Sequence, residues 1–337
     1  MRNQDSVFVS NTPLVTILIV YWNNEEYLPV CLERLSLQTK GDFEIVLVNN
    51  GSAKESLAGF EAEKLRLVHL DSNEGYAIAN NIGARLARGK WLALLNADAF
   101  PEPTWLEGLL QAVEQNPDYT VFSSRQLQYH SPKRLDGAGD SYHITGLAWR
   151  RYYNRPAEDF RKASEEIFSA CPAAALYSRE EFLKAGGFDD DYFSYFEDVD
   201  LGFRLRLNGA RCLYVPDAVV HHVGSASTGK RSDFSVYYGY RNMIWTFFKN
   251  MPFPYFWLFL PLHCSAVIFF AIYLTLRGQG KIIWKAILDA LHGLPKMLKK
   301  RKLIQKNLKI VPSELMRVMS TGILEPYVEF ISRNRNK

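Results

Sequence analysis

The sequence predicts an α/β domain, a sheet flanked by helices, followed by a helical region that associates with a membrane. Short apolar runs rich in β-branched residues alternate with segments of helical period, and the links between them are short, as in β-α-β units with a parallel sheet. The tail announces itself by charge. Residues 250–276 carry none, and from Arg277 onward fourteen Lys/Arg stand against four Asp/Glu.

Residues 14–21 (LVTILIVY) read as a buried strand, and residues 25–37 as a helix with Leu28, Cys31, Leu32 and Leu35 at helical spacing. Residues 43–48 are a second strand, ending in Asn49-Asn50-Gly51-Ser52, and residues 65–70 a third. A small-residue helix lies within residues 73–87. Residues 91–95 (WLALL) are a fourth strand, ending in Asn96-Ala97-Asp98, and Pro101 and Pro103 then turn the chain away. Residues 104–115 form a helix with Trp105, Leu109, Ala112 and Val113 along one side. Residues 126–161 have no clear period, and a long irregular stretch in a compact domain is more often functional than not. Ser178 and Glu181 have capping-box spacing, and Gly186-Gly187 ends that helix. Ser194 and Glu197 repeat the spacing and open a helix to about Asn208-Gly209, with Glu197, Asp198 and Asp200 in its first turn. The helix dipole favours acids there, and Asp200 is placed to pair with Arg204. Three acids in four residues nevertheless exceed what a cap needs. Residues 212–215 and 218–220 are short apolar runs leading to His221-His222.

A hydrophobic content of 47% excludes a disordered chain. Four scattered cysteines (Cys31, Cys171, Cys212, Cys264) offer neither a disulfide framework nor zinc spacing, which points to a reducing compartment. Residues 1–13 lack the apolar core of a secretion signal. The tail from Arg277 has a net charge of +10, which leaves −6 for the rest of a chain whose total is +4. Such a tail seeks an anionic surface, and the uncharged run before it selects a membrane over nucleic acid. That run is long enough to cross a bilayer. However, Pro252, Pro254 and Pro261 break its first third, and a crossing would part the basic tail from a cytosolic body. A re-entrant or in-plane element is expected, with a single span as the alternative. Ile283, Trp284, Ile287, Leu288, Leu291 and Leu294 form one face of an amphipathic interfacial helix. Lys299-Lys300-Arg301-Lys302 then suits anionic headgroups. The competing reading is a helical hairpin packed on the body.

A lone carboxylate at the end of a buried strand is costly unless something binds it. In open α/β sheets that end is where ligands sit. Asp98 suits a hard divalent ion of the kind that accompanies phosphates, a helix cap or turn being the plainer alternative. With a histidine it makes a minimal oxygen/nitrogen ligand set, and a separate carboxylate remains as a base. In their order along the chain these points resemble the family 2 inverting glycosyltransferases, which have a nucleotide-binding fold of the GT-A type, over roughly residues 13–241. The matching motifs are Tyr21-Trp22-Asn23 after the first strand, Val48 to Ser52, Asn73-Glu74-Gly75-Tyr76 leading to Asn80-Asn81-Ile82-Gly83, and Asn96-Ala97-Asp98 in place of Asp-x-Asp. Gly187-Phe188-Asp189 through Tyr195 to Leu201, and His222 followed by Gly224 and Ser227, complete the set.

The resemblance implies a mixed sheet of GT-A type over residues 13–241, preceded by an extension (1–12) and followed by the membrane-associating region (242–337). It implies that Asp198 is the catalytic base, with Glu197 beside it orienting acceptor or base. Asp98 and His222 would hold magnesium or manganese, His221 being the less favoured ligand. Tyr21, Asn23, Asn49, Asn73, Gly75, Asn81, Asn96 and Asp98 would line the nucleotide-sugar donor, and Lys230 and Arg231 would close over its diphosphate as a lid. Trp149, Arg150 and Arg151 are expected on the acceptor side. Asn stands where the family has Asp at both 49 and 96, which removes two charges from the donor site but keeps hydrogen-bonding capacity. The expected reaction moves a sugar, with L-rhamnose from a dTDP donor as a candidate, onto a polyprenyl-diphosphate-linked saccharide. The expected place is the cytoplasmic face of a bacterial inner membrane. The alternative is a silent nucleotide-sugar-binding subunit, which the two Asn residues suggest and the Glu197-Asp198 pair opposes.

Overall fold

The computed structural model describes residues 12–23, 25–53, 64–160, 163–224, 232–322, 325, 326 and 328. The first half is the alternating unit that the periodicity predicts. It runs β1 (Val15–Tyr21), α1 (Leu28–Ser36), β2 (Phe43–Asn50), β3 (Leu65–Leu70), α2 (Tyr76–Leu86), β4 (Trp91–Leu95), β5 (Ala99–Pro101) and α3 (Trp105–Gln115). β3, β2, β1 and β4 lie side by side, all parallel. Alternate residues of a strand face opposite sides, and both sides here are apolar and covered. Val15, Ile17, Ile19 and Tyr21 pack with Leu28, Cys31 and Leu35 of α1 and Trp105 and Leu109 of α3. Leu18, Leu92 and Leu94 pack with Ala77 and Ala84 of α2 on the other side. Each such buried Leu or Val contributes about 1.5–3 kcal/mol relative to exposure.

The second half turns the sheet into a mixed one. It holds β6 (Val121–Gln128), β7 (Ser131–Gly137), β8 (Asp140–Tyr142), β9 (Ala148–Arg150), β10 (Glu165–Ile167), β11 (Ala174–Ser178), α4 (Arg179–Lys184), α5 (Glu197–Leu207) and β12 (Cys212–His222). β11 lies antiparallel between β4 and β6, β12 runs parallel to β6, and β10 closes the edge antiparallel. The carboxyl ends of β1, β2, β4, β6 and β12 therefore share one edge. Residues 126–161, expected to be irregular, hold the short strands β7 to β9. Register shifts between β6 and β7 are what erased the period there.

The two predicted capping boxes part ways. Ser178 Oγ accepts the Glu181 N–H at 3.4 Å and opens α4 as expected. Ser194 does not cap α5, whose N-cap is Phe196 in the left-handed region at φ 67°. Phe193 and Tyr195 are left-handed too, at φ 64° and 65°. Phe193 (ψ −63°) centres a three-residue turn closed by the Ser194 N–H on the Tyr192 carbonyl at 2.8 Å. That turn type is rare and strained.

Then come α6 (Asp233–Asn250), α7 (Tyr255–Leu274), a π-helical stretch (Thr275–Gln279), α8 (Gly280–Lys306) and α9 (Pro312–Met316). Position 241, the expected boundary, falls inside α6. α6 and α8 approach closely, for the Trp245 indole donates to the Ala290 carbonyl at 2.9 Å. A Cβ at Gly293 would lie 2.5 Å from the Trp245 ring. The continuous helical run Tyr255–Lys306, which begins with α7, is long and apolar enough to cross a membrane by length and composition. Its Phe256, Phe259, His263, Ala266 and Phe270 are buried against the protein, while Trp257, Leu258, Ile268, Phe269 and Ile272 are exposed. The expected apolar face of residues 283–294 is likewise divided. Ile283, Ile287 and Leu294 pack inward, and Trp284, Leu288 and Leu291 point out.

Candidate active site

The site sits at the shared edge of strand ends. β5 pairs antiparallel with β12 so that Ala99 lies opposite His222, and the Val223 N–H donates to the Asp98 carbonyl at 3.0 Å. This register brings Asp98 Oδ1 to 3.3 Å from His222 Nε2. On the far side, His222 Nδ1 lies 2.7 Å from Asp136 Oδ2, and Arg150 pairs with Asp136 in turn. His221, one residue away on β12, points elsewhere and meets Glu102 at 3.1 Å. All three of Asp98, His222 and Asp136 are buried. Burial alone would raise the Asp98 carboxyl, but the charge and hydrogen bond of His222 hold it below its ordinary value. Burial would likewise lower His222, and the two flanking carboxylates override it, pushing it up to about 9.

This pair fits a divalent ion. His222 Nε2 is buried and has no hydrogen bond of good geometry among the described residues, although Asp98 faces it. Adjacent ligands on one octahedral ion with bonds of about 2.1 Å lie roughly 3.0 Å apart, close to the separation seen. Asp136 and His222 form the carboxylate–histidine arrangement that orients a ligating imidazole. No group of three or more His, Cys, Asp or Glu side chains suited to an ion is found among the described residues. Two protein ligands are what a magnesium-like ion takes when substrate phosphates supply the rest.

The second acidic pair opens α5. Glu197 is buried and Asp198 half-buried. Burial and the Asp198 charge hold Glu197 well above the usual carboxylate range. Burial also raises Asp198, against the Val199 N–H on its Oδ1 at 2.8 Å and the Arg150 charge. Arg150 is thus the electrostatic link between the two acidic groups. Its guanidinium is held charged, against burial, by Asp136 and also by Asp140 and Asp198.

Donor-side residues expected from sequence divide into three sets. Asn96 is close in, accepting from the Tyr76 hydroxyl at 3.2 Å. Asn23, Asn49 and Asn73, with Asn50, which is not among those expected there, tie loops together. The Asn23 N–H donates to Ser52 Oγ at 2.8 Å. The Asn49 amide is spent on both backbone groups of Ser52, at 2.8 and 3.0 Å, and lies 3.2 Å from His69. Asn50 donates to Asn73 Oδ1 at 3.0 Å. A base would have to compete with Ser52 for Asn49. The third set is buried. Tyr21 sits in the core beneath α1. Asn81 is consumed by the Phe188 backbone, at 2.8 and 2.9 Å, and by Asp190. On the acceptor side, Arg151 is likewise committed, to Glu165 at 2.9 Å, whereas Trp149 is half-buried beside His143. Lys230, Arg231 and Ser227 lie outside the described residues.

Gly75 connects the loop of Asn73 with the acidic turn. Its backbone (φ 86°, ψ 164°) is open to glycine alone. A Cβ there would strike the Phe193 ring at 2.6 Å and its carbonyl at 2.7 Å. The same carbonyl accepts the Ala77 N–H of α2 at 3.2 Å. Sequence reasoning missed Asp136 and this contact. Only the acid-and-arginine content of the irregular stretch hinted at Asp136.

The comparisons agree with this architecture. Residues 16–184 match the model of "Glycosyl transferase family 2". A Haemophilus influenzae protein described as an uncharacterized glycosyltransferase is 29% identical over 201 residues, 58% of this chain and 62% of the relative. The chain thus spans under two thirds of that relative. An N-acetylglucosaminyl-diphospho-decaprenol L-rhamnosyltransferase of Mycobacterium tuberculosis is 28% identical over 251 residues, 65% of this chain and 79% of the relative. Among solved structures, GalNAc-T7 with UDP, GalNAc and Mn2+ superposes with a TM-score of 0.57 at 18% identity, over 70% of this chain and 48% of that one. Staphylococcus aureus TarS 1–349 does so at 0.50 and 15% identity, over 70% and 66%. The likeness in structure gives the GT-A fold, and the family match covers half of the sequence, including β2 with Asn49 and the turn between β4 and β5 with Asp98. The chain belongs to glycosyl transferase family 2.

Proposed function

We propose that the protein is an inverting transferase that works on a lipid-linked saccharide at the cytoplasmic face of a bacterial inner membrane, with dTDP-L-rhamnose as the first donor to test. The name of the mycobacterial relative supports the sugar and a polyprenyl-diphosphate acceptor. The exposed apolar face of α7 beside exposed Trp284 and Leu288 supports an in-plane association with lipid.

The observation that carries the reading is the pairing of two separate acidic groups across Arg150. Asp198 takes the proton of the acceptor hydroxyl as its oxygen bonds to the anomeric carbon. That oxygen attacks from the face opposite the nucleoside diphosphate, whose bond to the carbon breaks with its electron pair on the leaving phosphate, so configuration inverts. Glu197 orients the base or the acceptor. Asp98 and His222 are the residues that would hold magnesium or manganese, whose charge would stabilise the leaving diphosphate. Arg150 stands where it can meet acceptor or diphosphate charge, and Asp136 keeps His222 oriented. Residues 13–241 hold the side chains assigned to the reaction, and residues 242–337 the exposed apolar faces assigned to the membrane.

A panel of nucleotide sugars, read by binding and by product formation on a polyprenyl-diphosphate saccharide, tests the substrate. The test of mechanism is Asp198→Asn. Losing a general base lowers turnover by about 10²–10⁴-fold with nucleotide affinity kept. Full turnover in that variant would remove Asp198 from the mechanism.

A further inference from the structure

The acidic turn that launches α5 is held from outside the sheet, by α6. Three consecutive or near-consecutive aromatic residues, Phe193, Tyr195 and Phe196, are left-handed, a conformation that bulky residues adopt only when surroundings impose it. Asn242 of α6 gathers the carbonyls of this turn. Its Nδ2 lies 2.9, 3.0 and 2.7 Å from the carbonyl oxygens of Tyr192, Ser194 and Tyr195. Its side chain is fully buried. Arg241 fixes the amide the right way round, donating from Nε to Asn242 Oδ1 at 2.9 Å. Arg241 also donates to the Asp191 and Tyr192 carbonyls at 3.0 and 3.1 Å. Both flanks of the turn are tied to the same region: buried Lys249 pairs with Asp189 and with Asp200 at 2.6 Å each. Lys300 of α8 holds Asp191 at 2.8 Å and also pairs with Asp189.

We propose that Asn242 is a positioning residue for sugar transfer, clamping the Tyr192–Phe196 turn so that Glu197 and Asp198 face the donor held beyond Gly75. The inference rests on the reading of Asp198 as the base. It adds that the helices beyond the family's matched segment complete the catalytic geometry. Asn242 touches no substrate. It acts through the carbonyls that it gathers, and Phe193, pressed on Gly75, passes the constraint to the donor loop.

The test uses the full chain in detergent, with Asn242→Asp, which keeps size but removes both donors, and Arg241→Gln, which removes the fork that orients it. Amide exchange read by mass spectrometry should quicken about tenfold in residues 192–199, as for a lost hydrogen bond, and stay unchanged in β1 and β4. Turnover should fall about 100-fold in Asn242→Asp, as for a displaced catalytic group, with about a tenth of that loss in Arg241→Gln. Binding of UDP or dTDP with Mn2+ should change less than about threefold. Unchanged exchange in residues 192–199 overturns the clamp. Faster exchange with wild-type turnover overturns the positioning role, and so does parallel loss of turnover and nucleotide affinity. If Asn242→Asp does not fold, Arg241→Gln decides by the same readouts. If Asp198→Asn transfers sugar normally while Asn242→Asp does not, the base reading has failed and the clamp has not.

Discussion

Glu197 is buried with one carboxylate oxygen that has no hydrogen-bond partner among the described residues. A charge there is costly twice over, from lost hydration and from Asp198 next door. Its folded pKa is therefore raised above that of the unfolded chain. A carboxyl raised in this way binds more protons folded than unfolded between the two values, so stability falls as pH rises through that window. The cost is absent below the ordinary Glu range and grows by up to about 1.4 kcal/mol per pH unit above it. Glu197→Gln should thus melt with wild type at about pH 4, where both are neutral, and above wild type at neutral pH, with lower turnover. Thermal melts across pH check it. A Gln variant less stable than wild type at neutral pH would show that the carboxylate is well solvated. Stability given up at the acidic pair proposed to be catalytic is a common exchange for reactivity, and the left-handed Phe193 and Phe196 beside it are strain of the same kind.

At the scale of elements, α7 has two unlike faces. Phe256, Phe259 and Ala266 are buried, whereas Trp257 and Leu258 are more than 60% exposed. Burying two such side chains in lipid yields about 1.5–3 kcal/mol each, so Trp257→Glu with Leu258→Glu should weaken binding to anionic vesicles at least about 100-fold. Co-sedimentation measures this, and wild-type binding would exclude this face as the contact. The strands and main helices were legible because period two and period 3.6 survive wherever one element covers another: residues 65–70 and 91–95 are strands to the residue. Asp98 and His222 were legible because a polar residue ending an apolar strand is conspicuous. Asp136 was not, since β7 is short and shifts register against β6. The turn before α5 was misread because Ser194 and Glu197 imitate a capping box, and no local signal announces three left-handed aromatic residues. The run Lys299-Lys300-Arg301-Lys302 was only half legible. Lys299 and Lys302 are exposed, but Lys300 is spent on Asp189 and Asp191. Arg301 caps α6, donating to the Met251 carbonyl at 2.6 Å. Sequence distance hides such partners, and a buried cation looks like a surface one until the fold brings its acids near.

For the whole molecule, the question is whether the C-terminal helices are an appendage or part of the core. One apolar cluster answers it: Tyr142 and Phe168 from the body, Val199, Phe203 and Leu207 from α5, and Phe247, Met251, Phe256 and Phe259 from α6 and the start of α7. Phe247 stacks on the His263 ring of α7 at 4.1 Å. Cutting the chain after Asn250 would remove Met251, Phe256 and Phe259 from that cluster, Lys300 from Asp189, and Arg301 and Gln305 from the end of α6. Losing one buried Phe costs about 3–5 kcal/mol. Three large side chains and a partner of a buried carboxylate therefore cost on the order of 10 kcal/mol, which matches the whole stability of an ordinary domain. A fragment of residues 1–250 should then lack a cooperative thermal transition in circular dichroism, with or without lipid. The full chain carrying Trp257→Glu and Leu258→Glu should keep its transition while losing the membrane. A cooperative melt of the fragment within a few degrees of the full chain would make the tail dispensable for folding, and with it the idea that one set of helices serves both the lipid contact and the catalytic turn.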